Sequence, residues 1–119
     1  MPDIGPVNGI LIHTARLGPM LAFYRDVLGL EPRHVKPRTV NFQWGDFKLT
    51  IGLHDGVRGA NADASRQMVN FHVDDIHAVY ARLVAAGVAF SRPPEQEPWG
   101  GWLATFADPD GNTLQLLQT

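Results

Sequence analysis

The chain contains no cysteine. Disulfides, thiolate nucleophiles and cysteine-based zinc or iron–sulfur centres are therefore excluded, and a reducing compartment is compatible. Long hydrophobic runs are also missing: none approaches the roughly 20 residues that span a bilayer, and the opening Met1-Pro2-Asp3-Ile4-Gly5-Pro6 lacks a basic n-region. The expectation is a soluble, unprocessed, cytoplasmic protein with no membrane partner. Neither sign of charge dominates. Ten Lys plus Arg against twelve Asp plus Glu leave a net charge of -2 with no basic stripe, so nucleic acid is not an expected partner. No serine sits in a nucleophile elbow and no phosphate-cradling loop occurs. What remains is a folding composition. With 119 residues, 45% hydrophobic and 18% charged, the chain suits a single domain with one core.

The chain repeats itself. Gly9-Ile10-Leu11-Ile12-His13 alternates as a strand does, and the stretch from Leu17 to Leu28 carries apolar residues at Leu17, Met20, Leu21, Tyr24, Val27 and Leu28, the spacing of one helical face. Pro19 suits an early helical position, and Gly29 suits a left-handed stop. The second copy has the same order. Met68 to Val73 forms a strand, Asp74 or Asp75 caps a helix striped by Ile76, Val79, Tyr80 and Leu83, and Gly87 ends it. Further strands are expected at Thr39 to Trp44 and Phe47 to His54, then at Trp102 to Ala107 and Thr113 to Gln118. Each copy thus reads β-α-β-β-β, with module one at about 7–54, a polar linker at about 55–66 and module two at about 67–119. Gly45-Asp46 makes a tight turn and Asp108-Pro109-Asp110-Gly111-Asn112 a longer one.

Phe23-Tyr24-Arg25-Asp26-Val27-Leu28-Gly29-Leu30, Phe71-His72-Val73-Asp74-Asp75-Ile76 and Asp108-Pro109-Asp110-Gly111-Asn112 together resemble the vicinal oxygen chelate superfamily. That superfamily includes glyoxalase I, extradiol dioxygenases, fosfomycin resistance enzymes and bleomycin resistance proteins, and the resemblance covers nearly the whole chain. It implies an α+β fold in which two β-α-β-β-β modules form a curved mixed sheet around a cleft, with helices outside. It also implies pairing of subunits as a homodimer. Chemistry has to be argued from the residues in the cleft.

Strand alternation assigns Ile10, Ile12, Phe47, Leu49, Ile51, Leu53, Val69, Phe71, Val73, Leu114 and Leu116 to the helix side. The opposite faces carry Gly9, Leu11 and His13; Lys48, Thr50, Gly52 and His54; Met68, Asn70 and His72; Thr113, Gln115 and Leu117. By the resemblance, metal-dependent members hold their ligands at the positions of Gly9, Thr50, Met68 and Gln115. A glycine, a threonine, a thioether and an amide do not hold zinc, nickel or iron, so no metal cofactor is expected. His13 and His72 each lie four residues past such a position and are candidates for a relocated site or for a general acid or base, with His54 a third. Lys48 can meet an anionic ligand or reach the rim. Glu95 and Glu97 fall in a proline-rich stretch read as a solvated loop.

Pro98-Trp99-Gly100-Gly101-Trp102 resembles the Pro-Trp-Gly segment of bleomycin resistance-like members. Indoles suit stacking on flat or cationic ligands, whereas the alternative has Trp102 starting a strand in the core and Trp99 closing a rim. A net charge of -2 gives little long-range attraction for a cationic drug. The expected function is metal-independent sequestration of an aromatic or peptide-like metabolite or drug, in the manner of antibiotic resistance. The ligand-binding set is His13, Lys48, His54, Met68, Asn70, His72, Trp99, Trp102 and Gln115. The alternatives are a metal-dependent lyase or dioxygenase-like enzyme with a relocated His site, and a metal-free isomerase.

Overall fold

The computed structural model describes residue 3 and residues 6–119, which divide into two compact units, 1–59 and 60–119. The division falls inside the segment expected to link the copies. Unit 1 contains β1 (Gly9–Thr14), α1 (Leu17–Leu21), β2 (His34–Val35), β3 (Thr39–Trp44) and β4 (Phe47–Leu53). Unit 2 contains a short 3-10 turn (Ala64–Arg66), β5 (Met68–His72), α2 (Ile76–Ala85), β6 (Phe90–Gln96), β7 (Trp102–Ala107) and β8 (Thr113–Gln118). Each unit has a four-stranded mixed sheet of the same topology, ordered β1-β4-β3-β2 and β5-β8-β7-β6. The first strand of each runs parallel to the last, which is why a helical crossover follows it, and the remaining pairs are antiparallel.

Alternation works as expected. Val40, Phe42, Leu49 and Ile51 are buried on one face of the first sheet with Met20 and Tyr24 from the helix, and Ala104, Phe106, Leu114 and Leu116 are buried in unit 2 with Ile76 and Leu83. At 20 to 33 cal/mol per Å², these side chains are the main source of stability in each unit. The helix signals in unit 2 also hold. The Asp75 carboxylate accepts from the Ala78 backbone N–H at 3.1 Å, Gly87 is left-handed at φ 95°, and Val88 N–H closes the helix end on the Leu83 carbonyl.

Two expectations need correction. The first helix is not one α-helix over 17–28: after Leu21 it continues as a π-helical segment, Ala22–Val27, with Leu28 N–H bonded to the carbonyl of Phe23 five residues back. Apolar residues at Met20, Tyr24 and Leu28 serve either geometry, so periodicity does not separate them. The proline-rich stretch, in turn, is no loop. It forms β6, an edge strand paired with β7, in which Pro93 and Pro94 coincide with register shifts between Arg92 and Glu95. Proline has no N–H to donate, so an edge strand with an irregular register is where it fits. β6 and its counterpart β2 are the strands to which the sequence pattern had attached no residues.

Candidate ligand-binding faces

Each sheet has one face covered by its own helix and one that is not. On the uncovered face of unit 1, the parallel register sets Gly9 beside Lys48, Leu11 beside Thr50 and His13 beside Gly52. The antiparallel register adds Asn41 beside Thr50 and Gln43 beside Lys48. Pro6, Asn8, Gly9, Ile10, Leu11, Gln43, Asp46, Lys48 and Thr50 line an open concavity of about 1100 Å³. Leu11 is 55% exposed there. One acceptor on this face is orphaned: Asn41 Oδ1 is buried and meets no hydrogen-bond donor. Leaving such a group unpaired costs on the order of 1–3 kcal/mol.

His13 and His54 come together within unit 1, their ring centroids 4.6 Å apart and tilted by 46°. The Gly56 backbone N–H donates to His54 Nδ1 at 2.9 Å, so in the neutral ring the proton sits on Nε2. A side chain at position 56 would crowd that imidazole at 3.1 Å, which accounts for the glycine. His72 belongs to the other unit, where its Nε2 pairs with Asp74 at 3.0 Å, both groups exposed. Asp75, the residue immediately before the helix, is the one that caps it.

On the uncovered face of unit 2, Met68 lies beside Thr113, Asn70 beside Gln115 and His72 beside Leu117. Gln115 is nearly buried, and its amide donates to Thr105 Oγ1 at 3.3 Å. At the edge of the sheet, Arg92 is gripped by Glu95 at 3.0 Å and by Glu97. Hydrogen bonds that the guanidinium donates to Glu97 first and Glu95 second hold its charge and raise its pKa. The two carboxylates that the sequence pattern left in solvent are therefore an arginine clamp. Alternation along the edge strand hides this, because the prolines break it.

The aromatic loop is a hairpin turn. Gly100 N–H bonds to the Glu97 carbonyl, Glu97 N–H bonds to the Gly101 carbonyl at 2.7 Å, and Gly100 is left-handed at φ 101°. Such a three-residue loop needs a residue at positive φ, which Gly100 supplies. Gly101 has a different reason: a Cβ there would lie 1.9 Å from the Trp99 ring, so the indole rests on the bare backbone. Trp99 is still 60% exposed. Trp102 stands apart from the rest of the candidate set. It opens β7 on the side of Ala104 and Phe106 and packs edge-on against His77 of the helix, centroids 4.9 Å apart.

Of the nine candidates, then, unit 1 brings together His13 and His54 and sets Lys48 on the same face. Unit 2 sets Met68, Asn70, His72 and Gln115 on one face, with Trp99 at the hairpin end and Trp102 on the covered side. Asn41, Arg92, Glu95 and Glu97 were missed; only the assignment of β6 and the pairing of β3 with β4 reveal them. Among the described residues, no three His, Asp or Glu side chains form a metal-holding group, and no helix is long and apolar enough to cross a membrane.

Residues 7–116 match the Glyoxalase/Bleomycin resistance protein/Dioxygenase superfamily. A bleomycin resistance protein from Klebsiella pneumoniae is 30% identical over 83 residues, a match that spans 64% of this chain and 64% of that protein. Among solved structures, a superfamily member from Sphaerobacter thermophilus superposes with a TM-score of 0.76 at 26% identity, covering 98% of both chains. A lactoylglutathione lyase from Agrobacterium tumefaciens gives a TM-score of 0.77 at 22% identity, covering 98% of this chain and 96% of that one, a likeness of fold alone. Four-stranded sheets built twice on one β-α-β-β-β plan, and a family match across almost the full length, lead to one assignment: the chain belongs to the glyoxalase/bleomycin resistance/dioxygenase superfamily.

Proposed function

We propose that this chain is a small-molecule binding protein that sequesters an aromatic or peptide-like metabolite or drug without a resident metal. It would act as a cytoplasmic homodimer, and antibiotic resistance is the natural biological role for it. The observation that carries the metal-free reading is the donor set at the positions where metal-dependent relatives hold their ligands. Gly9 has no donor, and a Cβ there would lie 2.9 Å from the Lys48 carbonyl oxygen, so the backbone itself closes that position. Gln115, whose N–H is bonded to Thr105, offers only a neutral amide oxygen, and Met68 and Thr50 offer a thioether and a neutral hydroxyl. These residues do not suit a hard or borderline divalent cation, which favours carboxylate, imidazole or thiolate. The uncovered faces instead combine exposed apolar groups, Leu11, Met68 and Trp99, with amides and a lysine, a mixture suited to a small organic ligand.

The test is paired. Protein purified without a His tag is analysed for metals as isolated and after addition of nickel, zinc, iron or manganese, and is screened by thermal shift against aromatic and peptide-like compounds that include bleomycin. The expected result is no stoichiometric metal and saturable stabilisation by at least one compound. Stoichiometric metal whose removal lowers the melting temperature would overturn this reading. The His13–His54 contact and the His72–Asp74 pair favour a second reading, an enzyme that uses these imidazoles as acid and base or as relocated ligands. Substrate-dependent exchange of a carbon-bound proton into solvent, lost in His13→Ala or His72→Ala, would establish it.

A further inference from the structure

Three glycines of this chain follow an aspartate or asparagine: Gly9 after Asn8, Gly56 after Asp55 and Gly111 after Asp110. At such a step no glycine side chain shields the backbone nitrogen from the neighbouring carboxyl or carboxamide carbon, so the bonding of that nitrogen decides whether it can attack. Two of the three are engaged. Gly56 N–H donates to His54 Nδ1 at 2.9 Å, and Gly111 N–H donates to the Asp108 carbonyl at 3.0 Å. Gly9 differs. The Asn8 carbonyl accepts from Lys48 N–H at 3.0 Å and so faces β4, and across a trans peptide the N–H of Gly9 points the opposite way. β1 is the outer strand of its sheet, so that N–H faces the sheet edge, and among the described residues it has no partner. Asn8 stands just before the strand, exposed, and its side-chain amide makes no hydrogen bond among the described residues.

We propose that Asn8-Gly9 is a site of spontaneous covalent modification. The Gly9 nitrogen attacks Cγ of Asn8 as its proton passes to solvent; the new C–N bond closes a succinimide ring, the Cγ–Nδ2 bond breaks, and ammonia leaves with a proton taken from solvent. Water then opens the ring at either carbonyl, giving aspartate or isoaspartate, so the net exchange is water in and ammonia out, with no oxidant or reductant. The fold keeps the glycine that permits this: a Cβ at position 9 would lie 2.9 Å from the Lys48 carbonyl oxygen. The products alter the concavity that Asn8 and Lys48 both line. Each replaces a neutral amide with a carboxylate, and isoaspartate also reroutes the main chain through Cβ, taking the carbonyl that accepts from Lys48 N–H out of the backbone. The reaction needs no ligand and is independent of the binding function.

The experiment holds the full chain in mildly alkaline buffer at physiological temperature, with circular dichroism to confirm that it stays folded, and follows it by peptide mapping with fragmentation that separates isoaspartate from aspartate. A parallel sample is kept unfolded in denaturant. The tryptic peptide that ends at Arg16 has one asparagine and no glutamine, so its mass reports on Asn8 alone. In the folded chain that peptide is expected to gain the mass of one deamidation, in both product forms, ahead of Asn41, Asn61, Asn70 and Asn112, none of which precedes a glycine. Folding should slow isoaspartate formation at Asp55 and Asp110 far more than at Asn8, each site measured against itself in the unfolded chain. Asn8→Gln, whose longer side chain closes a larger and slower-forming ring, should hold its mass over the same time. No gain at Asn8 in the folded chain overturns the proposal, as does a gain in the form of aspartate alone, which is direct hydrolysis. Equal slowing of all three sites on folding overturns it too, because the free N–H of Gly9 would then make no difference.

Discussion

At the scale of single residues, two side chains are held in arrangements that folding alone does not need. Trp99 lies on Gly101 with more than half its surface exposed, a flat apolar platform fixed by the turn beneath it. Gly101→Ala should drive the indole off that seat, visible as a red-shifted tryptophan emission with a loss of about 1 kcal/mol in chemical denaturation. Trp99→Ala should cost little stability but weaken an aromatic ligand by about 1–3 kcal/mol, measured by calorimetry. If affinity is unchanged, the ring is only a cover for the turn. Asn41 supplies a sharper contrast. Replacing it with Leu removes an orphaned acceptor, so the melting temperature should stay level or rise. A marked drop in melting temperature would show that the amide is satisfied in solution.

The elements carry the stability arguments. Gly29 and Gly87 stop the two helices at φ 80° and 95°, where a β-branched residue is strained, so either Gly→Val change should cost about 1–2 kcal/mol. Neither glycine has any atom within 4 Å of its would-be Cβ, so the loss would come from the backbone and not from crowding. Asp75→Ala should cost about 1 kcal/mol through the lost bond to Ala78 N–H, and Asp74→Ala much less, since Asp74 serves only an exposed histidine. An equal loss in both would mean that the cap is shared. The turn from Asp108 to Asn112 is held differently: Asp108 Oδ1 accepts from the backbone of Asp110 and Asn112, and its Oδ2 accepts from the Asn112 amide. That turn also anchors the linker, through Asn61 N–H to the Asp110 carbonyl at 2.7 Å and Asn61 Nδ2 to Asn112. Thus the later part of the segment read as a free connection belongs to unit 2, and nothing in its own polar, aperiodic composition signals this.

For the whole molecule, the proposed homodimer is checked by sedimentation at micromolar concentration, where a mass near twice 13.1 kDa is expected. A monomer at that concentration would require all ligand contacts to come from one chain. On the proposed metal-free reading, chelator treatment should leave the melting temperature unchanged. A fall on chelation would redirect attention to His13, His54 and His72.

The repeat, the strand faces and the helix stops were legible in the order of residues because they depend on local physics: period-two alternation, period-three-and-four stripes, a capping aspartate and glycines at positive φ. That Gly9 and Gln115 carry neither imidazole nor carboxylate could be read from residue type. Other features depend on which strands lie side by side, and composition is silent on that. Pro93 and Pro94 disguised an edge strand as a loop, so the Arg92 clamp and the reason for Glu95 and Glu97 stayed hidden until β6 was paired with β7. The same holds for the bare Cα of Gly101 under an indole, for His13 meeting His54, and for an unpaired oxygen on Asn41 two residues from the partner of Lys48. Those contacts join residues distant in the chain or turned by irregular backbone, and only tertiary packing decides them.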